Sequence, residues 1–329
     1  MTKQEGWRKP PFFCVDSNVL SRLPSAYNTG VGMNIQYEID LLSEKARKQN
    51  KNETLVIPDG TYRLNKPLVI NGGVSVVSGG RGRRSVRLVF TGVKDGDNLV
   101  TVKGNNGGVI DGLNIKCFDE RDNITGLLSE NCSSMTFSNF DIELQCGYDC
   151  VGLKHLRNGK LGESCIYERF DIRSCGTCVE IQGGDNNAFR DFDCRAGTKV
   201  REGVSAIFRF AENSVPHHVR IGPGSGQRGN HAYYCDSVSD SVSGGCILFD
   251  SFRWEQPSTK QTTAFVHTPK RKFSRPGHVT ERFTLIGCRS SRVDMAIKVT
   301  NTLKTRFLGS FLDGKKDINN NSIRPSGQR

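Results

Sequence analysis

Three Phe-Asp pairs, Phe140-Asp141, Phe170-Asp171 and Phe192-Asp193, put carboxylates at a spacing that could do chemistry. Side chains alternate along a strand, so inward phenylalanines leave the three carboxylates pointing outward. On stacked strands about 4.8 Å apart they form a column of like charge. Carboxylates that close repel, so one proton affinity rises or a cation sits between them. Such a column suits the acid/base pair of glycoside cleavage or an oxygen-ligand Ca²⁺ site. Neighbouring rungs are closer than the ~5 Å of a retaining pair, and Asp141 and Asp193 would stand roughly 9–10 Å apart, at or past the limit of an inverting pair. Arg169, Arg173, Arg190 and Arg195 lie close in sequence. A column they neutralise keeps its carboxylates ionised and offers no general acid. The expectation is a salt-bridged stripe, with catalysis as the alternative.

Glu255, in Phe252-Arg253-Trp254-Glu255, is a fourth acidic candidate, and Trp254 would stack on a sugar ring if exposed. Phe252 and Trp254 share a parity, so both can equally fill a core with Arg253 and Glu255 outside. Cys146-x3-Cys150 and Cys175-x2-Cys178 have the look of zinc-ligand pairs. Yet 146 to 175 and 150 to 178 are each one repeat of the chain, so stacking alone brings them together. His217-His218 puts two rings on opposite faces of a strand, a poor ligand pair. The Gly-rich turns at 79–82 and 222–226 have no following Lys-Ser/Thr and no following helix, so they are not phosphate cradles. No metal and no cofactor is assigned.

The element that must position these groups is a ladder. Apolar triplets begin at Gly126, Val151, Val179, Ala206, Ala232, Ala264 and Ala296, in steps of 25 to 32 residues. A second series, Phe137, Leu161, Phe189, Ile221, Phe249, Phe283 and Phe307, runs in step with it. A fixed period with no helical pattern inside it means stacked identical units. Leu128, Leu153, Ile181, Phe208, Tyr234 and Val266 are expected to form one inward column. Ahead of the ladder, Asn34 to Gln49 carries the one helical pattern: Ile35, Ile39, Leu42 and Ala46 share a face, with Asn34 as N-cap.

The chain has 329 residues, 36% of them hydrophobic, with 36 glycines and 12 cysteines. A thin core with many tight turns accounts for that balance. A formal charge of +12 favours polyanionic partners. Aromatic residues do not interleave with the basic loops at 81–84 and 270–275, which argues against nucleic acid. No run reaches the ~18 apolar residues of a membrane span. The N-terminus lacks the apolar stretch of a signal peptide, so synthesis in a reducing cytoplasm with mostly free thiols is expected.

The helix, then Thr54-Leu55-Val56-Ile57-Pro58-Asp59-Gly60-Thr61-Tyr62-Arg63-Leu64, then Pro67-Leu68-Val69-Ile70 and a Gly-rich turn, closely resembles the start of pectate-lyase-like right-handed parallel β-helix proteins. The same arrangement is frequent in phage tailspikes and other virion surface proteins, and Glu255 is similar to the end-of-strand acidic residues of phage β-helices. The resemblance implies an all-β fold: a single right-handed parallel β-helix of about nine or ten coils with an N-terminal capping helix. It divides the chain into an extended arm (1–33), capping helix and link (34–53), β-helix (54–312) and flexible tail (313–329). It implies a homotrimeric virion protein of tailspike type that recognises host-surface polysaccharide, its arm docking on other virion proteins. The alternative is a polysaccharide-cleaving glycoside hydrolase or lyase. The Asn-Thr-Asp, Asp-Asp and Gly-His-Gly set of polygalacturonases is missing, as is the Asp-His motif with paired arginines of pectate lyases. Neither mechanism carries over residue by residue.

Overall fold

The structure, a computed structural model, describes residues 33–80, 85–158, 162–201, 204–211, 218–235, 238–239, 245–255, 263–271, 280–291, 295–300 and 302–318. Its strands form a 17-stranded sheet, a ten-stranded sheet and a small two-stranded one, and the pairings are parallel. Each coil gives one strand to the ten-stranded sheet and a bent pair to the long sheet, making a right-handed parallel β-helix of ten coils.

The first coil would expose an unpaired edge, and the helix Ile35–Gln49 covers it. Asn34 caps the helix by accepting from the Tyr37 amide, and Asn50 ends it in a left-handed conformation. Ile35, Ile39 and Ala46 bury the apolar face. Gln36 takes the place of a neighbouring strand: its amide donates to the Val69 carbonyl at 3.0 Å and accepts from the Val69 amide at 2.8 Å.

Long-sheet strands turn a corner at single residues with positive φ: Asn139 (52°), Arg169 (54°), Asp191 (55°) and Ser251 (54°). The corner resets parity, so Phe137 and Phe140, three apart, both point inward and are buried. Stacking then repeats them. Phe137, Tyr167 and Phe189 stack at 4.7 Å each step, while Phe140, Phe170 and Phe192 stack at 5.0 and 5.4 Å. Offset ring pairs of this kind add about 0.5–1.5 kcal/mol beyond area burial.

Two details of the expected ladder are corrected by register. In the ten-stranded sheet the inward column is Val100, Leu127, Leu153, Val179, Phe208, Tyr233, Phe265 and Ile297. Leu128 pairs with Lys154, and Tyr234 with Arg209 and Val266, so those three belong to the outward row. Ile181 is inward but pairs with His155, one inward position along. In the long sheet Tyr167 stands between Phe137 and Phe189, and Leu285, not Phe283, lies between Phe249 and Phe307. Leu161 lies outside the described residues, as do the basic loop at 81–84 and residues 272–275. Lys315–Ile318 is a strand paired with Met295–Val299, so the solenoid extends past the tail boundary expected at 313.

The eleven described cysteines are free, and most are buried. They act as small apolar side chains, and several thiols reach the carbonyl of the rung before: Cys132 donates to Val102 at 3.3 Å, and Cys165 to Cys132 at 3.3 Å. Burial pushes the Cys165 thiol up to about 12 and the Cys288 thiol up to about 11. No helix among the described residues is long and apolar enough to cross a membrane.

Phe170 is held between two rings, so Phe170→Ala is expected to cost about 3–5 kcal/mol, read from the shift in urea midpoint. A loss under 1 kcal/mol would mean the stack carries little weight. A second expectation concerns acid. His155 and His267 are fully buried, bonded to Tyr167 and Tyr233 respectively, and burial lowers them to about 4 and about 3. The unfolded chain binds their protons first as pH falls below about 6.5. Stability from these groups is therefore full above that pH. It is lost below it at about 1.4 kcal/mol per pH unit per histidine, until each folded-state value is reached. Denaturation midpoints between pH 7 and pH 4 should steepen accordingly, with a shallower slope in His267→Gln.

Candidate functional site

The carboxylate column exists. Asp141, Asp171 and Asp193 occupy consecutive rungs in direct register. The row continues to Asn114 and Arg87 on one side and to Ser225, Arg253 and Arg289 on the other. Asp141 is buried, and a shallow cavity of about 220 Å³ gathers Arg87, Asn114, Lys116, Asp141, Asp171 and Arg173. Ser225 donates to Asp193 at 2.7 Å, and Arg195 reaches it at 3.9 Å. Lys116 meets Glu143 at 2.7 Å, and that hydrogen bond holds the Glu143 carboxyl below its usual range.

The arginines divide differently from expectation. Arg169 and Arg190 both serve Glu168, at 2.7 and 2.5 Å, in the row on the far side of the corner. Arg169 also donates to Asn139, because it is itself a corner residue. Only Arg173 and Arg195 follow the aspartates on the same outward face.

Trp254 cannot meet a sugar. It is 0% exposed, points inward, and donates Nε1 to the Arg228 carbonyl at 3.0 Å. Gly226 lies on the rung before it, where a Cβ would come within 2.8 Å of Ile207. The expectation of an exposed stacking platform is therefore corrected: Phe252 and Trp254 both fill the core. Glu255 faces outward, hydrogen-bonded to Arg253, and does not join the aspartate row. Among the described residues no group of three or more His, Cys, Asp or Glu has metal-holding geometry. His217 lies outside them, and His218 is exposed.

The opposite flank holds a larger feature. On the ten-stranded sheet the outward row reads Lys154, Glu180 and Arg209 on three consecutive coils. Glu180 is buried between them, with Lys154 at 2.9 Å on Oε1 and Arg209 at 3.4 Å on Oε2, while Gln182 donates to Oε1 at 3.0 Å. A wall rises beside this row because the connection after Asn187–Ala196 does not pass straight into the next strand. It runs back across earlier coils. The Lys199 amide donates to the Cys175 carbonyl and the Asp149 amide to the Lys199 carbonyl, both at 3.0 Å. Arg201 then reaches Asp122 at 2.7 Å and lies over the Tyr148 ring at 4.6 Å from its centroid. Gly147 is required in the wall, since a Cβ there would sit 2.2 Å from the Asp122 carboxylate.

The result is a cleft of about 510 Å³ lined by Asp122, Asp149, Lys154, Glu180, Arg201 and Arg209, among others. Tyr148 (40% exposed) and Phe118 (47%) are exposed aromatics on the flanking connections. Fixed charge pairs and amides of this kind present directed donors and acceptors with little freedom left to lose. Sequence reading missed the site. Lys154 and Glu180 sit within or beside triplets valued for their apolar members, and the only available sign was that Lys154, Glu180 and Arg209 recur in step.

No family model and no curated protein matches the chain. Solved structures do. The Escherichia coli protein YbhC aligns with 12% identity and a TM-score of 0.51, covering 94% of this chain and 88% of its own. Tailspike protein 2 of the Escherichia coli O157:H7 bacteriophage CAB120 aligns with 10% identity and a TM-score of 0.51, over 84% of this chain. This chain spans about a third of that tailspike, 34% of its length. A 1,3-α-1,4-β-D-galactose-4-sulfate-3,6-anhydro-D-galactose-2-sulfate 4-galactohydrolase aligns with 13% identity and a TM-score of 0.51, covering 89% of this chain and 87% of its own. At these identities the likeness is one of fold, the parallel β-helix.

The wall depends on Arg201. Arg201→Ala is expected to speed amide exchange at Lys199 and Arg201 at least tenfold while moving global stability by less than about 1 kcal/mol, since the pair is partly exposed. Unchanged exchange would mean the backbone bonds alone hold the wall.

Proposed function

We propose that this chain is a virion surface protein of tailspike or appendage type that recognises host-surface glycans through the cleft on its ten-stranded sheet. The observation that carries the reading is the preorganised polar floor of Lys154, Glu180 and Arg209 beside a wall bearing Arg201, which lies over the exposed ring of Tyr148 next to the cleft. A sugar offers hydroxyls to such paired charges and an apolar ring face to an aromatic rim. The fold likeness to a phage tailspike supports the virion setting. In this reading the protein acts as a homotrimer, with the arm of residues 1–33, of which 1–32 lie outside the described structure, docking on other virion proteins.

A second reading, polysaccharide cleavage, is supported by the fold likeness to a galactohydrolase and by the carboxylates Asp122 and Asp149 in the same cleft. Against it, Glu180 is engaged on both oxygens by cations, an arrangement made for holding position and not for giving a proton. The Asp171 column faces away from the cleft, on the other sheet.

Incubating the protein with a panel of host capsular polysaccharides, and measuring both binding and chain length, tests the two. We expect one polysaccharide to be retained with its chain length unchanged. Tyr148→Ala and Glu180→Gln should weaken retention at least tenfold, and Asp171→Asn should leave it unchanged. Shortened chains would favour the enzyme reading. Retention indifferent to both cleft variants would remove the cleft from either.

A further inference from the structure

The positive charge of this chain is not spread along it. Residues 251–329 hold 16 lysines and arginines against 5 aspartates and glutamates, so +11 of the total +12 belongs to the last quarter of the sequence. The described residues of that segment, between 251 and 318, belong to coils eight to ten.

Register concentrates the charge further on the outer face of the long sheet. Arg253 pairs directly with Arg289, and Arg282 with Lys304. Arg306 follows Lys304 on the same face of the strand Thr302–Leu308. Rungs about 4.8 Å apart thus carry cation on cation, a cross-strand arrangement that opposes folding. Acidic relief is scant: Arg253 has Glu255 and Arg220 has Asp250, whereas Arg282, Arg289, Lys304 and Arg306 make no ion pair among the described residues. In the upstream coils Lys116, Lys154, Arg190 and Arg209 are each matched to a carboxylate. At the end of the Arg253–Arg289 row stands Phe311, 72% exposed.

We infer that the outer face of coils eight to ten, built on Arg282, Arg289, Lys304, Arg306 and Phe311, is a binding site for an acidic glycan, one bearing carboxylate or sulfate groups along its chain. Cations repeated rung by rung match a ligand whose anions also repeat, and an exposed ring beside them offers a stacking face to a sugar. Nucleic acid is the weaker fit. A sheet face bent at a corner, with Arg282, Lys304 and Arg306 on one arm and Arg289 and Phe311 on the other, has no element to enter a groove, and one exposed aromatic does not make the series of platforms that single strands require. The site lies away from the cleft on the other sheet and does not depend on it.

The test uses the full chain with three polysaccharides of matched length, polygalacturonate, dextran sulfate and neutral dextran, and with duplex DNA. Wild type should bind at least one of the two acidic glycans, with affinity falling steeply as salt rises and no binding to neutral dextran. The triple variant Arg282→Ser, Arg289→Ser, Lys304→Ser should lose at least tenfold in that affinity. Its unchanged or raised thermal midpoint, expected from removing like charges, shows that the fold is intact. The comparison of polygalacturonate with dextran sulfate tells carboxylate from sulfate. Equal binding by wild type and variant, no binding to either acidic glycan, or tighter binding to DNA than to both would overturn the inference. Tyr148→Ala in parallel separates this site from the cleft. Acidic-glycan binding that survives it, with no host polysaccharide retained, keeps this inference and removes the earlier one.

Discussion

Parallel pairing of successive coils is the constraint from which the rest of the molecule follows. A strand laid in register on its predecessor places each side chain directly over its counterpart, about 4.8 Å away. An inward position must then be apolar on every coil, or supply its own partner, as His155 does with Tyr167 and His267 with Tyr233. Size must also be shared between levels. Gly224 sits where a Cβ would press within 2.5 Å of the Phe192 ring, and Gly226 sits on the rung before Trp254. The core is a set of columns negotiated rung by rung.

The same rule shapes the surface. It turns three scattered aspartates into a row, and it stacks arginine on arginine in the last coils. What the repeat makes by itself is a small recess, such as the cavity of about 220 Å³ on the aspartate row. The cleft arises where the repeat is broken, by a connection that turns back over earlier coils and is tied down by Lys199 and Arg201. A strict solenoid thus supplies rigidity, and one irregular excursion supplies a concave site.

The architecture was legible in the sequence because the constraint writes itself as periodicity. Helix and cap followed from spacing and from the Asn34 signature, and the coil number from the resemblance. Register was less legible. Triplets such as Gly126-Leu127-Leu128 and Ala232-Tyr233-Tyr234 offer two apolar residues for one inward place, and composition does not say that Leu127 and Tyr233 take it. The corner residues hide a further switch, since an arginine at φ 54° is invisible to pattern reading. The candidate site was the least legible part. Its wall comes from a connection whose path is set by backbone bonds to Cys175 and Asp149, and its floor residues are each ordinary charges until three coils are stacked.

The central claim, that register and corner geometry set which residues face the core, is tested most directly by Trp254. Replacing Trp7 with phenylalanine leaves it as the single tryptophan of the chain. With the register described, its fluorescence should be blue-shifted and untouched by iodide until the protein unfolds. A slip of one residue would turn it to solvent, and red-shifted emission quenched by iodide in the folded protein would contradict the account.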